Sequence, residues 1–274
     1  MEPRRFHGFF HREAIMDNVN KTLYIPLYGK AYVSKRNIIL HDPMAEEIWN
    51  VEQFPLKGKA ASKWLCLYMG MRAAVFDSWV KDQLEKMSDA IVLHLGCGMD
   101  GRVIRVGAAG HLWYDLDFPA VIEERKKYYQ ETENYKILCE DVRALNFLAD
   151  LNCKRAIVVM EGISMYLKRE ELDGLFEKLN SRFDEVCLLM DCYTEFAAKA
   201  SKYKNPINEV GVTEVYGLDD PKALNTCGLT FLREMDMTPQ NLIEQLQGLE
   251  KRIFRKLYAG SVARKMYRLY EYRK

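Results

Sequence analysis

The chain has 274 residues, 49% of them hydrophobic and 29% charged, and its 40 Lys and Arg against 39 Asp and Glu give a formal net charge of +1. This is the composition of a globular chain long enough to bury a sizeable core. The balanced charge gives no electrostatic case for nucleic acid or for an anionic membrane surface. Cysteines at 66, 97, 139, 153, 187, 192 and 227 form an odd set without a C-x-x-C pair. That points to reduced, mostly buried thiols in a cytoplasmic protein, with no structural zinc expected. The N-terminus lacks a cleavable apolar core, and no run approaches the roughly 20 apolar residues of a membrane span.

Residues 1–88 read as helical. Ala14 to Leu27 mixes apolar and polar positions at helical spacing. Asp42-Pro43 starts a helix with Asp as cap and Pro in the first turn, and an amphipathic stretch runs from Ser62 to about Lys86. So long a helical segment ahead of the first strand predicts a cap, 1–88, over the ligand edge of a core spanning 89–274. Two cations in the cap, Lys30 and Arg72, sit among small and apolar residues. Either each has an anionic partner, since an unpaired buried charge is costly, or each snorkels at a helix edge.

The organising stretch is 90–101. Ile91 to Leu95 reads as a strand buried on both faces, with His94 a core residue within it; the chain breaks at Gly96-Cys97-Gly98, and 102–109 is compatible with a helix. A strand, a glycine turn and a helix start make a cradle for an anionic or nucleotide ligand. The next strand, His111 to Asp117, ends in acids about 20 positions on, where a ribose diol is held in nucleotide-binding α/β folds. Gly96, Gly98 and Gly101 satisfy G-x-G-x-x-G, so a nicotinamide dehydrogenase, an S-adenosylmethionine methyltransferase and a ligand-free turn all fit this stretch.

Strands and helices then alternate, the signature of a parallel sheet covered on both faces. A helix over Ala120–Glu131 precedes the strand Tyr135–Cys139, which ends in Glu140-Asp141-Val142. An acid there can accept from an adenine amino group or cap the next turn. The strand Arg155–Met160 runs into Glu161-Gly162 at the ligand edge, and a helix follows over Glu170–Arg182. The strand Val186–Met190 ends in Asp191-Cys192-Tyr193. No strand pattern covers 194–228, which reads as a lid insertion. Phe231–Met235 and Met266–Tyr272 are further strands, with a helix from Thr238-Pro239 to about Tyr258 between them. The last two dozen residues are rich in Lys and Arg, which a solvated helix face explains.

Three motifs in series, Leu95-Gly96-Cys97-Gly98-Met99-Asp100-Gly101-Arg102, Tyr114-Asp115-Leu116-Asp117-Phe118-Pro119 and Glu161-Gly162-Ile163-Ser164-Met165-Tyr166-Leu167, resemble the leucine carboxyl methyltransferase family. Leu27-Tyr28-Gly29-Lys30, Asp42-Pro43 and the Arg72 segment resemble its bacterial branch, and the likeness covers roughly residues 15–272. It implies a class I S-adenosylmethionine-dependent, Rossmann-like α/β fold with a seven-stranded, mostly parallel sheet. It also implies that Gly96, in one turn with Gly98, lies against the cofactor's methionine part. Asp117 would hold the ribose hydroxyls, Asp141 and Val142 the adenine, Glu161 the amino group, and Lys30 and Arg72 the carboxylate.

The expected reaction is methyl transfer to an oxygen, most simply a carboxylate on a small hydrophobic acid, leaving S-adenosylhomocysteine. A carboxylate is already ionised and needs positioning more than a base. Arg72 is the candidate for orienting the acceptor carboxylate, and Tyr166 for facing the acceptor. A hydroxyl acceptor, a protein C-terminal carboxylate, an NAD(P)-dependent oxidoreductase and a non-catalytic nucleotide-binding module are the alternatives. No metal, nucleic-acid or membrane partner is expected.

Overall fold

A computed structural model describes residues 22–204 and 214–274 of the chain. Three helices come first: α1 (Tyr24–Lys35), α2 (Pro43–Glu52) and α3 (Lys63–Lys86). Asp42 caps α2, its carboxylate accepting from the Ala45 amide at 3.0 Å, with Pro43 at the first helical position. Strands β1 (Ile91–Leu95), β2 (Trp113–Asp117), β3 (Tyr135–Cys139) and β4 (Arg155–Met160) follow, with α4 (Arg102–Val106) and α5 (Pro119–Arg125) between the first three. Helix α6 (Arg169–Arg182) leads to β5 (Glu185–Tyr193), and α7 (Glu195–Lys204) follows it. The chain ends with β6 (Thr230–Glu234), α8 (Gln240–Ile243), α9 (Gly248–Leu257), α10 (Ser261–Arg264) and β7 (Tyr267–Arg273).

The seven strands form one sheet in the order β3-β2-β1-β4-β5-β7-β6. β1 to β5 are parallel, and β7 inserts antiparallel between β5 and β6. The expected seven-stranded, mostly parallel architecture is therefore present. Alternate residues of the inner strands feed two cores on opposite faces, as a pleated sheet requires. Val92, Ile157, Val159 and Leu189 pack on the side of α1 to α3, and Leu93, Val158, Met160 and Leu188 on the side of α6. Helix α3 packs against α1, α4 and β4, which brings the N-terminal helices to the sheet.

Several boundaries differ from expectation for local reasons. β5 continues past Met190 to Tyr193 because β7 pairs with it over that whole length. The helix predicted over 120–131 ends at Arg125, where the backbone tightens to i→i+3 bonds such as Tyr128 N to Arg125 O at 3.0 Å. The helix predicted over 238–258 is two, α8 and α9, separated before Gly248. Ala14 to Lys21 and 205–213 of the expected lid lie outside the described residues. Within 194–228 the described residues hold α7, a 3₁₀ turn at Pro221–Cys227 and one isolated bridge, Tyr193 to Gly217. No helix among the described residues is long and apolar enough to cross a membrane.

Candidate active site

The carboxyl ends of β1, β2 and β4 open onto a cavity of about 1160 Å³ whose opposite wall comes from α1 and α3. Lys30, Arg72, Gly96, Gly98, Asp117, Asp141, Val142, Glu161 and Tyr166 all line it. Residues scattered over most of the sequence therefore share one space. On α3 the wall is built at helical spacing, from Trp64, Leu65, Tyr68, Met69 and Arg72.

The turn after β1 is fixed by its backbone. Gly96 has φ +67, and a Cβ there would stand 2.0 Å from Ile163 Cγ2, so glycine is demanded by both conformation and space. The amides of Gly96 and Cys97 donate to Leu116 O at 2.8 and 3.0 Å, tying the turn to the end of β2. Asp117 completes it: Oδ2 accepts from the Gly98 amide and Oδ1 from the Phe118 amide, each at 2.8 Å. Burial pushes the Asp117 pKa up, and those two amides partly offset the rise. Asp141 accepts from the Arg143 amide at 2.9 Å and from its guanidinium, which holds its pKa below the usual range against partial burial. It both closes the following turn and lines the cavity.

Lys30 and Arg72 are each 3% exposed, which excludes snorkelling. Their partners are internal. Lys30 pairs with Asp100 at 2.9 Å, and Arg72 reaches Glu161 with Nε at 3.0 Å and Asp191 with Nη1 at 2.8 Å. The second oxygen of Glu161 is held by Arg102, which also donates to Asp77 at 2.8 Å. Arg105 links Asp77, Asp42 and Asp100, so the α2 cap joins the same network. Burial raises the pKa of Glu161, but Arg72 and Arg102 outweigh it and bring the group to about 2. Asp191, also buried, is raised despite Arg72.

Sequence reasoning gave no role to Asp191, Asp100, Arg102 or Asp77. For Asp191 a signal existed: it follows an apolar strand run as Asp117 and Glu161 do, at the same sheet edge. Arg102 and Asp77 come from different elements, and no spacing rule relates them. His94 is a core residue as expected. Its Nδ1 lies 3.0 Å from Asp115 and its Nε2 3.3 Å from Arg102, so both ring nitrogens are engaged.

The other end of the cavity is apolar and aromatic. Tyr267 meets Tyr193 edge-on at 4.6 Å and Tyr68 at 5.9 Å, while Trp64 stacks on Tyr258 at 5.2 Å. Ile25, Leu65, Met165 and Ala197 fill the wall between them. Burial pushes the phenols of Tyr68, Tyr166 and Tyr267 above their ordinary range, although Arg72 lies near enough to oppose this. These phenols stay protonated at neutral pH and can donate to a bound oxygen.

Residues 24–180 match the family described as leucine carboxyl methyltransferase. The tetracenomycin polyketide synthesis O-methyltransferase TcmP of Streptomyces glaucescens is 26% identical over 242 residues, spanning 86% of this chain and 89% of that protein. The S-adenosyl-L-methionine-dependent methyltransferase dpfgK of Gibberella zeae is 24% identical over 236 residues, 77% of this chain and 79% of its own. Among solved structures, magnesium protoporphyrin IX methyltransferase (ChlM) from Synechocystis PCC 6803 with bound SAH superposes with a TM-score of 0.52. At 12% identity, over 84% of this chain and 93% of that one, that likeness speaks for the fold alone. The family match covers more than half of the sequence and falls on the elements that build the cavity. The chain belongs to the leucine carboxyl methyltransferase family and is an S-adenosylmethionine-dependent O-methyltransferase.

Proposed function

We propose that this enzyme methylates the carboxylate of a small hydrophobic acid, giving a methyl ester. The observation that carries this reading is the acceptor end of the cavity: apolar and tyrosine-lined, with no unengaged histidine among the described lining residues. His94, the histidine among the described lining residues, has both nitrogens engaged by Asp115 and Arg102. A phenol or alcohol acceptor needs a proton removed, whereas a carboxylate does not. Protonated Tyr68, Tyr166 and Tyr267 suit an anionic acceptor because each can donate to it, Tyr68 in exchange for its weak bond to Met237 Sδ at 3.6 Å. TcmP, an O-methyltransferase of polyketide synthesis, supports a small-molecule acceptor over a protein terminus.

The other end fits S-adenosylmethionine. Asp100 also lines the cavity, but its oxygens are met by Arg105 at 2.8 Å and Lys30 at 2.9 Å, so it acts by placing Lys30. In our reading Glu161 holds the amino group, Lys30 and Arg72 the carboxylate, Asp117 the ribose hydroxyls, and Asp141 with Val142 the adenine, while Gly96 and Gly98 let the backbone approach. The cofactor supplies a methyl group on a positively charged sulfur, already activated toward a nucleophile. The chain's contribution is then placement and exclusion of water. Asp191 fixes Arg72 from behind, accepts from the Gly162 amide at 2.6 Å, and so sets the join between the two ends. In the same reading the described helices α1 to α3 form the cap over the core, and α7, through Ala197 and Ala200, supplies the described part of the lid.

The test is a panel of hydrophobic acids and matched phenols assayed by mass spectrometry. Alkali-labile methyl esters, formed at a rate nearly flat from about pH 6 to about pH 9, are expected. Methylation confined to phenols, with a rate rising through that range, overturns the proposal.

A further inference from the structure

Methyl transfer makes no use of the outer face of α9. Leu249, Ile253 and Leu257 recur at i, i+4, i+8 along this helix and are 72%, 38% and 52% exposed. The stripe runs on into Val262 and Met266, each 40% exposed. Leu257, Val262 and Met266 also line the cavity, so the same side chains are both cavity wall and outer surface. Single exposed apolar residues are ordinary, but a stripe continuous with a cavity mouth is not.

The charges on this face point one way. Glu250 is engaged by Arg36 at 2.7 Å, and Glu244, just before the helix, by Arg255 at 2.6 Å and by Lys251. Among the described residues Arg252 and Lys256, also i, i+4 and flanking the stripe, have no ion-pair partner, and neither has exposed Lys265 near Met266. The whole-chain balance of +1 averages this local excess away.

We infer that α9 docks on an anionic lipid surface and that the acceptor reaches the cavity from it. An apolar stripe flanked by unpaired bases is the pattern of a helix lying in a membrane interface. A bilayer supplies the negative charge and is also where a hydrophobic acid concentrates; a folded acidic partner supplies only the first. The inference revises the sequence-based expectation of no membrane partner. Docking stands on the surface alone, while delivery rests on the acceptor proposed above.

The test sediments the full chain with vesicles of phosphatidylcholine, with and without phosphatidylglycerol. Binding to the anionic vesicles, reversed by salt, is expected. Arg252→Gln/Lys256→Gln should weaken it about 30-fold, at about 1 kcal/mol per basic residue. Leu249→Ser/Ile253→Ser should weaken it by more than about tenfold. Thermal unfolding and S-adenosylhomocysteine affinity should remain at wild-type values in both. Failure of the wild type to bind, equal binding to neutral vesicles, or undiminished binding by both variants overturns the inference. So does self-association abolished by Leu249→Ser/Ile253→Ser, which assigns the face to a second copy. Vesicle binding without turnover of any acid supports docking while sinking the acceptor proposal, so the two fail separately.

Discussion

The two ends of the cavity solve opposite problems. At the cofactor end, Lys30, Arg72 and Arg102 are buried and each is met by a carboxylate from another element. Charges out of water hold their geometry only when every partner is in place, so this end is rigid and intolerant of substitution. At the acceptor end, Trp64, Tyr68, Tyr193 and Tyr267 offer area and a few hydroxyl donors. Such a surface accepts many shapes and can be retuned one side chain at a time. On the proposed reading one end defines the cofactor and the other only a class of acceptor.

This contrast can be broken most severely at Arg72. Arg72→Met leaves Glu161 and Asp191 buried with one cation fewer, and should cost about 3–5 kcal/mol in urea unfolding. Retention of wild-type stability would mean that the network is not what holds this end together. Asp117→Ala removes the carboxylate that accepts from Gly98 and Phe118, and should weaken S-adenosylhomocysteine binding about 100-fold in a calorimetric titration. Gly96→Ala should cost about 1–3 kcal/mol through its left-handed backbone, with more from the contact with Ile163. Pairing it with Ile163→Ala should restore only the contact part.

Acid sharpens the same contrast. Folding lowers Glu161 from 4.5 to about 2, despite burial, through Arg72 and Arg102, and Asp115 from 3.8 to about 2 through Arg125 and His94. A lowered carboxylate pKa stabilises fully above the unfolded value and loses that contribution as pH falls toward the folded one. Chemical denaturation between about pH 5 and about pH 2 should therefore show stability falling steeply, and Glu161→Gln should flatten the fall. Smallest of all is Tyr68→Phe, which removes one hydroxyl from the acceptor wall. It should raise the acceptor KM by less than about tenfold.

The sequence made the proposed cofactor end legible because Gly96, Asp117, Asp141 and Glu161 each stand where an apolar strand run stops, at the same sheet edge. Asp191 escaped because the strand was read as ending at Met190. It runs on in pairing with β7, a strand legible in sequence whose antiparallel place beside β5 no local pattern announces. The network escaped for a related reason, since Asp42, Asp77, Arg102 and Arg105 meet only after three helices pack. The anionic partners that buried Lys30 and Arg72 require include carboxylates of the chain itself, which no sequence spacing relates to them. At the acceptor end Trp64 and Tyr68 lie in a stretch that reads in sequence only as an amphipathic helix, and only the fold separates a core face from a cavity wall.

The most direct measurement crosses the two ends. S-adenosylhomocysteine affinity and acceptor KM are determined on Asp117→Ala and on Trp64→Ala in parallel. Asp117→Ala should lose cofactor affinity about 100-fold, while Trp64→Ala should keep it within about twofold and raise the acceptor KM about tenfold or more. If Trp64→Ala loses cofactor affinity as severely as Asp117→Ala, the cavity is one undivided site and the division of labour argued from its two walls is wrong.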